Sequence, residues 1–532
     1  MSGVGRASAL LASGTIVSRL LGFARTFALT LVFSGLTTVA GNAYTFSNAV
    51  PTSIYALIGG GLVSAVLVPQ IVRASGAADL GAAYINKLVT IAGVTIGVLT
   101  ALLTLAAPLL MRLYIQDQAT LAVAIPIAYW SLPQIFFLGM YAVLGEVLNA
   151  RRRFGAYTWA PVVNNVVALG AIALFLVVFG AVPRDRTDPL SLGQTAVIAG
   201  GTTLGLAAQA LVLVLVWRRA GLSYRPDFRW RGVGLKSTGQ AAGWTFSMLV
   251  LTQVAGLIQT AVVSTASSTG NASGQALQTA WLLFMLPHSI ITVSLVTVFY
   301  PRMSEHAAEE DEPALRGDVR QILRIVLLAL VGTTAVLLAA AVPVIATFTG
   351  SPAQTAAVSP VLVAYLVGLI PFTVLFVIQR CFYALADTRT PFRFTLVQLA
   401  VVIPGILLCA LLPRPTTAVA IASVISLGVL VQVVVAAALL RRRLGPLLDA
   451  PLRASIRRFA VAGAPALVVG AGLLALLGGF DGGWPVASRL GGALAAVLVS
   501  LVALAVYLLV LAVQRAPELR LAGDLVRSRL RR

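Results

Sequence analysis

Two arginines stand inside an otherwise apolar stretch near the N-terminus, in the run Ser18-Arg19-Leu20-Leu21-Gly22-Phe23-Ala24-Arg25. The stretch extends from about residue 9 to residue 33, long enough for a bilayer core, which takes roughly 20 residues. An arginine at mid-membrane costs on the order of 2.5–3.5 kcal/mol on insertion scales. A guanidinium does not escape that cost by shedding its proton. Each charge must therefore meet a water-filled cavity, a partner or the interface. Arg19 is close enough to the near surface to snorkel. Arg25 lies six residues further along, roughly 9 Å at the helical rise, where a polar cavity is the better accommodation. A cationic cavity inside a membrane bundle points to an anionic substrate.

The elements that must position these groups follow from composition. Of 532 residues, 59% are hydrophobic and 10% charged, against about 25% charged in soluble domains. The chain is expected to be an all-α integral membrane protein. Both cysteines, Cys381 and Cys409, lie in apolar segments, which argues for neither a disulfide framework nor a thiolate metal site. Two histidines, His288 and His306, are too few for a histidine metal site, and no cofactor or metal is expected. The first apolar segment is too long for the hydrophobic part of a cleavable signal.

Hydropathy gives about fourteen candidate spans. The first half reads approximately 9–33, 43–72, 87–111, 119–148, 157–182 and 192–217. The second reads approximately 238–264, 275–300, 322–348, 357–385, 393–413 and 416–440, followed by a pair near 459–479 and 488–513. Arg112, Arg184, Arg186, Arg414 and Arg489 fall on one side of this arrangement, and Arg19, Arg25 and Arg380 fall within spans. The rest of the 38 Lys and Arg fall on the opposite side with both termini. Positive charge marks the cytoplasmic side, so both ends are expected in the cytoplasm. The formal charge of +21 is then a topology signal rather than a nucleic-acid one. The tail through Arg531-Arg532 can also lie on anionic lipid, and the acidic run 305–312 reads as a solvated loop.

An internal repeat is visible. Leu132-Pro133 through Phe154 parallels Ile370-Pro371 through Phe392 at an offset of 238 residues, and Val50-Pro51 parallels Leu286-Pro287 at 236. A duplicated unit of six spans enters twice from the same side, so the two lobes are expected to be parallel repeats about an axis along the membrane normal. The expected division is a six-helix lobe at 1–220, a second at 221–445, a final helix pair at 446–515 and a basic tail at 516–532. Transporters of this plan hold substrate between the halves near the midplane.

Irregular residues gather where such a cleft would lie. The second span carries Asn42, Asn48, Pro51, the triplet Gly59-Gly60-Gly61 and Pro69, and the seventh carries Gln253 and Gln259. Proline and glycine inside a span open backbone groups that a cavity or a neighbouring helix must satisfy, and close helix packing is the other use of such glycines. Asn42 and Asn48 join Arg19 and Arg25 as candidate substrate-binding residues. Pro51, Gly60, Glu146, Arg380, Asp387 and Arg389 are candidates for gating or structural roles. No phosphate loop, nucleophile elbow or metalloprotease helix is present, so no enzyme activity is expected. Energy has to come from ion gradients, membrane potential or consumption of product.

The first-span run 18–25 resembles the signature of the MurJ/MviN lipid II flippases. Leu62-Val63-Ser64-Ala65-Val66-Leu67-Val68-Pro69 is similar to the end of their second span, and Phe382-Tyr383-Ala384-Leu385-Ala386-Asp387-Thr388-Arg389-Thr390-Pro391 is the most specific match. The resemblance implies the multidrug/oligosaccharidyl-lipid/polysaccharide exporter fold. It also implies flipping of undecaprenyl-diphosphate-linked peptidoglycan precursor across the bacterial cytoplasmic membrane. It further implies a groove for the lipid tail on the last two spans, cavity-lining roles for Arg19 and Arg25, and cell-wall synthesis and division proteins as partners. No regulatory domain is expected after the last span.

The chain departs from that family's pattern. Thr26 and Asn42 stand where acids are usual, and Ala49, Tyr55, Ala56 and Leu282 stand where arginines are. Three readings stay open: Arg25 with a few polar groups suffices for lipid II, or the cargo is another polyprenyl-linked glycan or a drug, or the chain is a transport-inactive scaffold for the cell-wall machinery.

Overall fold

A run of apolar residues in hydrocarbon has to satisfy its own backbone N–H and C=O groups, and an α-helix does so within one segment. The computed structural model describes residues 3–59, 81–151, 154–219, 223–228, 239–268 and 270–519, and has no strand among them. Two compact units are distinguished, Met1–Thr269 and Gly270–Arg532.

In the first unit the helices are α1 (Gly3–Val32), α2 (Val39–Ala56), α3 (Ala82–Leu105), α4 (Ala107–Tyr114), α5 (Gln118–Ser131), α6 (Gln134–Ala150) and α7 (Phe154–Phe179). After the turn Leu192–Thr195 and a π-helical stretch, Ala196–Gly200, come α8 (Gly201–Arg219) and α9 (Gly239–Ser264). Helix α7 packs on α1 and α8, α2 packs on α5, and α9 meets α2 and α4. One end of the unit is stapled by loop contacts. Val182 N–H donates to Val32 O at 2.7 Å, and the Ser34 hydroxyl donates to Val182 O at 2.6 Å. The Gln116 N–H donates to the Ser264 hydroxyl at 2.8 Å. Ser34 and Gly35 both have positive φ, which reverses the chain directly after α1.

The second unit contains α10 (Gly274–Pro287), a π-helical stretch His288–Val293, α11 (Ser294–Ala308), α12 (Glu312–Ala339), α13 (Ala341–Thr349), α14 (Pro352–Val367) and α15 (Leu369–Ala384). It continues through α16 (Arg389–Cys409), α17 (Arg414–Leu444), α18 (Ala450–Leu476) and α19 (Arg489–Val513). Helix α12 is central: α11, α15, α18 and α19 all pack against it. Small residues let α19 approach closely. A Cβ built on Gly492 would stand 2.6 Å from the Thr347 backbone nitrogen, closer than any side chain tolerates.

Among the described residues twelve helices are long and apolar enough to span a membrane, or thirteen when the bent pair α5–α6 is taken as one. The 41° bend falls at Leu132-Pro133, where proline lacks the N–H that would continue the ladder. The all-helical, many-span architecture read from hydropathy is borne out. The count of fourteen is not reached among the described residues, because the second expected span is described only as far as Gly59. Gly60, Gly61, the run 62–69, most of the basic run 218–236 and the end of the tail, with Arg531-Arg532, lie outside the described residues.

The segment after α19 folds back onto the helices. The Glu518 side chain is 1% exposed and accepts from Ser455 Oγ at 2.5 Å, Arg324 Nη2 at 2.9 Å and Arg458 Nη1 at 3.4 Å. Burial pushes its carboxyl upward, but the bonds from Ser455 and Arg324 outweigh this and hold it below the usual carboxylate value of 4.5. A depressed carboxylate stabilises the docked form above its ordinary pKa, and the effect is lost as pH falls through the lowered value. Proteolysis within 514–519 should therefore stay slow down to about pH 4.5 and accelerate below it. Glu518→Gln should be cleaved readily at neutral pH, with little further change on acidification.

Candidate anion site in the first unit

Arg25 sits about two turns before the end of α1, half-buried, and the Thr26 side chain beside it bonds back to Gly22 O at 3.1 Å. Its Nη2 donates to the Tyr44 hydroxyl of α2 at 3.5 Å. That hydroxyl lies 2.7 Å from Thr202 Oγ1 on α8, and Thr202 in turn donates to Ile198 O at 2.9 Å. Because the Thr202 proton is committed to Ile198 O, the Tyr44 proton points to Thr202, and the Tyr44 lone pairs face Arg25. The relay is thus directional. It holds one edge of the guanidinium with a neutral acceptor and leaves its charge uncompensated. Among the described residues Arg25 has no carboxylate partner.

Tyr44 is itself fixed. Its ring packs on Phe33, centroids 5.3 Å apart. Its carbonyl accepts from Asn48 Nδ2 at 2.8 Å, and Gln134 Nε2 of α6 donates to Asn48 Oδ1 at 3.0 Å. Asn48 thereby connects the Arg25 relay to the helix after the bend. Asn42 is fully buried in the same helix. Pro51 is buried within α2, and wide π-type turns follow at 57–59, as they follow Pro287 in the second unit. Arg19 is exposed on α1, and next to it Asn165 of α7 donates to Ser18 O at 3.0 Å. Of the four sequence-predicted binding residues, then, Arg25 and Asn48 share one hydrogen-bonded network, through Tyr44.

The remaining candidates are dispersed. Glu146 is half-buried on α6 and accepts from Asn149 at 3.4 Å. Asp387 accepts from the Arg389 N–H at 3.0 Å, the Thr390 N–H at 2.9 Å and the Thr390 hydroxyl at 2.6 Å. It closes the turn between α15 and α16, with Ala386 at φ 56°. Arg389 is exposed at the start of α16. Arg380 lies on α15 between two aromatic rings. Sequence reasoning missed Tyr44, Thr202 and Gln134. The clue was a polar residue in each neighbouring span, which hydropathy treats as filler.

A family model described as lipid II flippase MurJ matches residues 35–490. The chain belongs to the lipid II flippase MurJ family. Among curated relatives, a probable lipid II flippase MurJ of Synechocystis sp. is 26% identical over 400 residues, covering 73% of this chain and 72% of that protein. One of Haemophilus influenzae is 25% identical over 421 residues, covering 72% and 77%. A solved lipid II flippase MurJ in an inward closed conformation superposes with TM-score 0.73 at 19% identity, over 93% of this chain and 97% of that one. An inward-facing multidrug resistance MATE family transporter of the MOP superfamily gives TM-score 0.61 at 16% identity, over 81% and 95%. At those identities the two structures establish the fold, and the family match establishes the MurJ relationship inferred from the motifs. The chain is accordingly a multi-span bacterial membrane protein.

Proposed function

We propose that this protein moves an undecaprenyl-diphosphate-linked peptidoglycan precursor across the cytoplasmic membrane by alternating access, with Arg25 as the group that receives the diphosphate. The observation carrying this reading is the Arg25–Tyr44–Thr202 relay: a permanent cation in an apolar span, oriented by hydroxyls, with no carboxylate partner among the described residues. A diphosphate supplies the missing charge. Guanidinium–phosphate bonds are charge-assisted, and a low surrounding dielectric strengthens them. The names of the curated relatives, probable lipid II flippases, support the choice of cargo.

The substrate is lipid-linked and the bilayer is a constant partner. In this reading both termini are cytoplasmic, on the side where most of the basic residues lie. Movement of the six-span lobes expected at 1–220 and 221–445 carries the headgroup across. Arg19 meets the headgroup on entry, Asn48 keeps the relay in place, and Asn42 is a further polar group on the same helix. Helices α18 and α19 hold the polyprenyl tail, which remains in lipid throughout. The aliphatic outer face of α19, with Leu490, Leu494, Leu501 and Leu508 exposed, supports that assignment. Transport proceeds without ATP hydrolysis by the chain, and proteins of cell-wall synthesis and division are its neighbours.

A leaflet-accessibility assay tests the whole reading. Vesicles containing purified protein and fluorescent lipid II should expose a protein-dependent fraction of the precursor to an externally added modifying reagent. Equal exposure in protein-free vesicles would remove transport from consideration and favour the scaffold reading.

A further inference from the structure

The second unit carries a guanidinium that the transport scheme above leaves without a task. On α15, Phe372, Phe376, Gln379, Arg380 and Tyr383 recur at helical spacing and are all half-buried. Between them Thr373, Leu375, Val377 and Ile378 are buried. The open face of this helix is therefore aromatic and polar, unlike the aliphatic open face of α19, and it is poorly suited to acyl chains.

The Arg380 guanidinium carbon lies 4.9 Å from the Phe376 ring centroid and 5.8 Å from that of Tyr300 on α11. Phe376 is braced from behind by the buried His288 ring at 5.1 Å, and His288 Nδ1 lies 3.4 Å from Thr373 Oγ1. Aromatic contacts hold the cation through its π surface and leave in-plane N–H donors to be used. Among the described residues Arg380 has no ion pair. The ion pairs of this unit join Arg302, His306, Arg320, Arg324, Arg443 and Arg458 to carboxylates elsewhere. Asp387, one turn beyond α15, commits Oδ1 to the N–H groups of Arg389 and Thr390 and Oδ2 to the Thr390 hydroxyl. A propped, charged fork of donors with no ion-pair partner among the described residues is suited to a planar or tetrahedral oxyanion.

We propose that Arg380, held by Phe376 and Tyr300, is a second binding site for a phosphate oxyanion, located in the second unit and separate from Arg25. The proposal deepens the transport reading and rests on it for the identity of the cargo, while the binding chemistry rests on α15 and α11. The phosphate belongs either to the diphosphate of the cargo or to the headgroup of an anionic phospholipid.

Full-length protein in phosphatidylcholine nanodiscs, titrated calorimetrically with farnesyl diphosphate, tests it. The wild type should show a binding phase that Arg380→Gln weakens by about ten- to hundredfold, the range for a lost charge-assisted hydrogen bond. Arg380→Lys keeps the charge and loses the planar fork, so it should weaken the phase by a smaller factor. It also keeps the test valid should the glutamine variant fold poorly. Phe376→Leu should weaken the phase with the guanidinium intact. Wild-type affinity and stoichiometry in both Arg380 variants would overturn the proposal. Arg25→Ala, run in parallel, separates the two ideas. If it preserves translocation while Arg380→Gln loses its phase, the transport reading at Arg25 fails and this site stands. If it abolishes translocation while Arg380→Gln binds normally, this site fails and that reading stands. In phosphatidylglycerol nanodiscs, loss of the Arg380-dependent phase identifies a lipid headgroup as the occupant, and its persistence identifies the diphosphate.

Discussion

Cells depleted of other flippases and complemented with Arg25→Ala should not grow, and their lipid-linked precursor should accumulate in the inner leaflet. The substitution removes a permanent charge from an apolar helix, so insertion and folding improve if anything. In the proposed mechanism it deletes the cation that meets the diphosphate beside the Tyr44–Thr202 relay. Losing two charge-assisted bonds to phosphate, each worth about 1.5–3 kcal/mol, lowers occupancy by at least about a hundredfold. Arg25→Lys should retain partial function, since the charge persists while the bidentate fork is lost. Tyr44→Phe should reduce transport less than Arg25→Ala does, because it frees the guanidinium from its support without removing it. Normal growth with Arg25→Ala, at wild-type protein levels, would contradict the mechanism.

The second large effect is on stability. Asp318→Ala should lower the thermal midpoint of the detergent-solubilised protein by several degrees. The Asp318 side chain is completely buried on α12 and is held from α11 by Arg302 Nη2 at 2.6 Å and His306 Nδ1 at 2.7 Å. Removing one member of an enclosed ion pair costs about 3–5 kcal/mol. Arg302 is 54% exposed, so water recovers part of its charge and the expected cost is roughly 2–3 kcal/mol. Asp318→Asn should fall between alanine and wild type, keeping one hydrogen-bond acceptor without the charge. A midpoint unchanged in both variants would show that the contact between α11 and α12 is carried by apolar packing alone.

These two sites differ in how visible they are in the primary structure. Arg25 is conspicuous because a charge in an oil-soluble run violates the pattern around it. The residues that orient it are not. Tyr44 and Thr202 sit in separate spans, and each is ordinary for a membrane helix taken alone; only the packing of α2 and α8 brings their hydroxyls within 2.7 Å. The bend at Leu132-Pro133 has a proline as its cause, and the π-type turns follow Pro51 and Pro287, the two prolines that the repeat pairs with each other. Asp318 was hidden by context. It follows the acidic run 305–312, which reads as a solvated loop, and nothing in local composition separates the exposed Glu309 and Glu310 from the enclosed Asp318 eight residues beyond Glu310. The MurJ signatures carried the family where hydropathy could give only the class.

Helix α19 is tied at three heights. Arg489 Nη1 donates to Phe348 O at 2.6 Å, the Tyr507 hydroxyl donates to Leu328 O at 2.7 Å, and Glu518 grips Arg324. A rod pinned at top, middle and base cannot tilt on its own; it travels as a rigid strut with α12 and α13. Glu518 also accepts from Ser455 and Arg458 of α18, so that end of the α18–α19 pair is clamped, and any widening of their seam is confined to the end near the Gly478–Gly483 corner, where glycines 478 and 482 already adopt left-handed backbone angles.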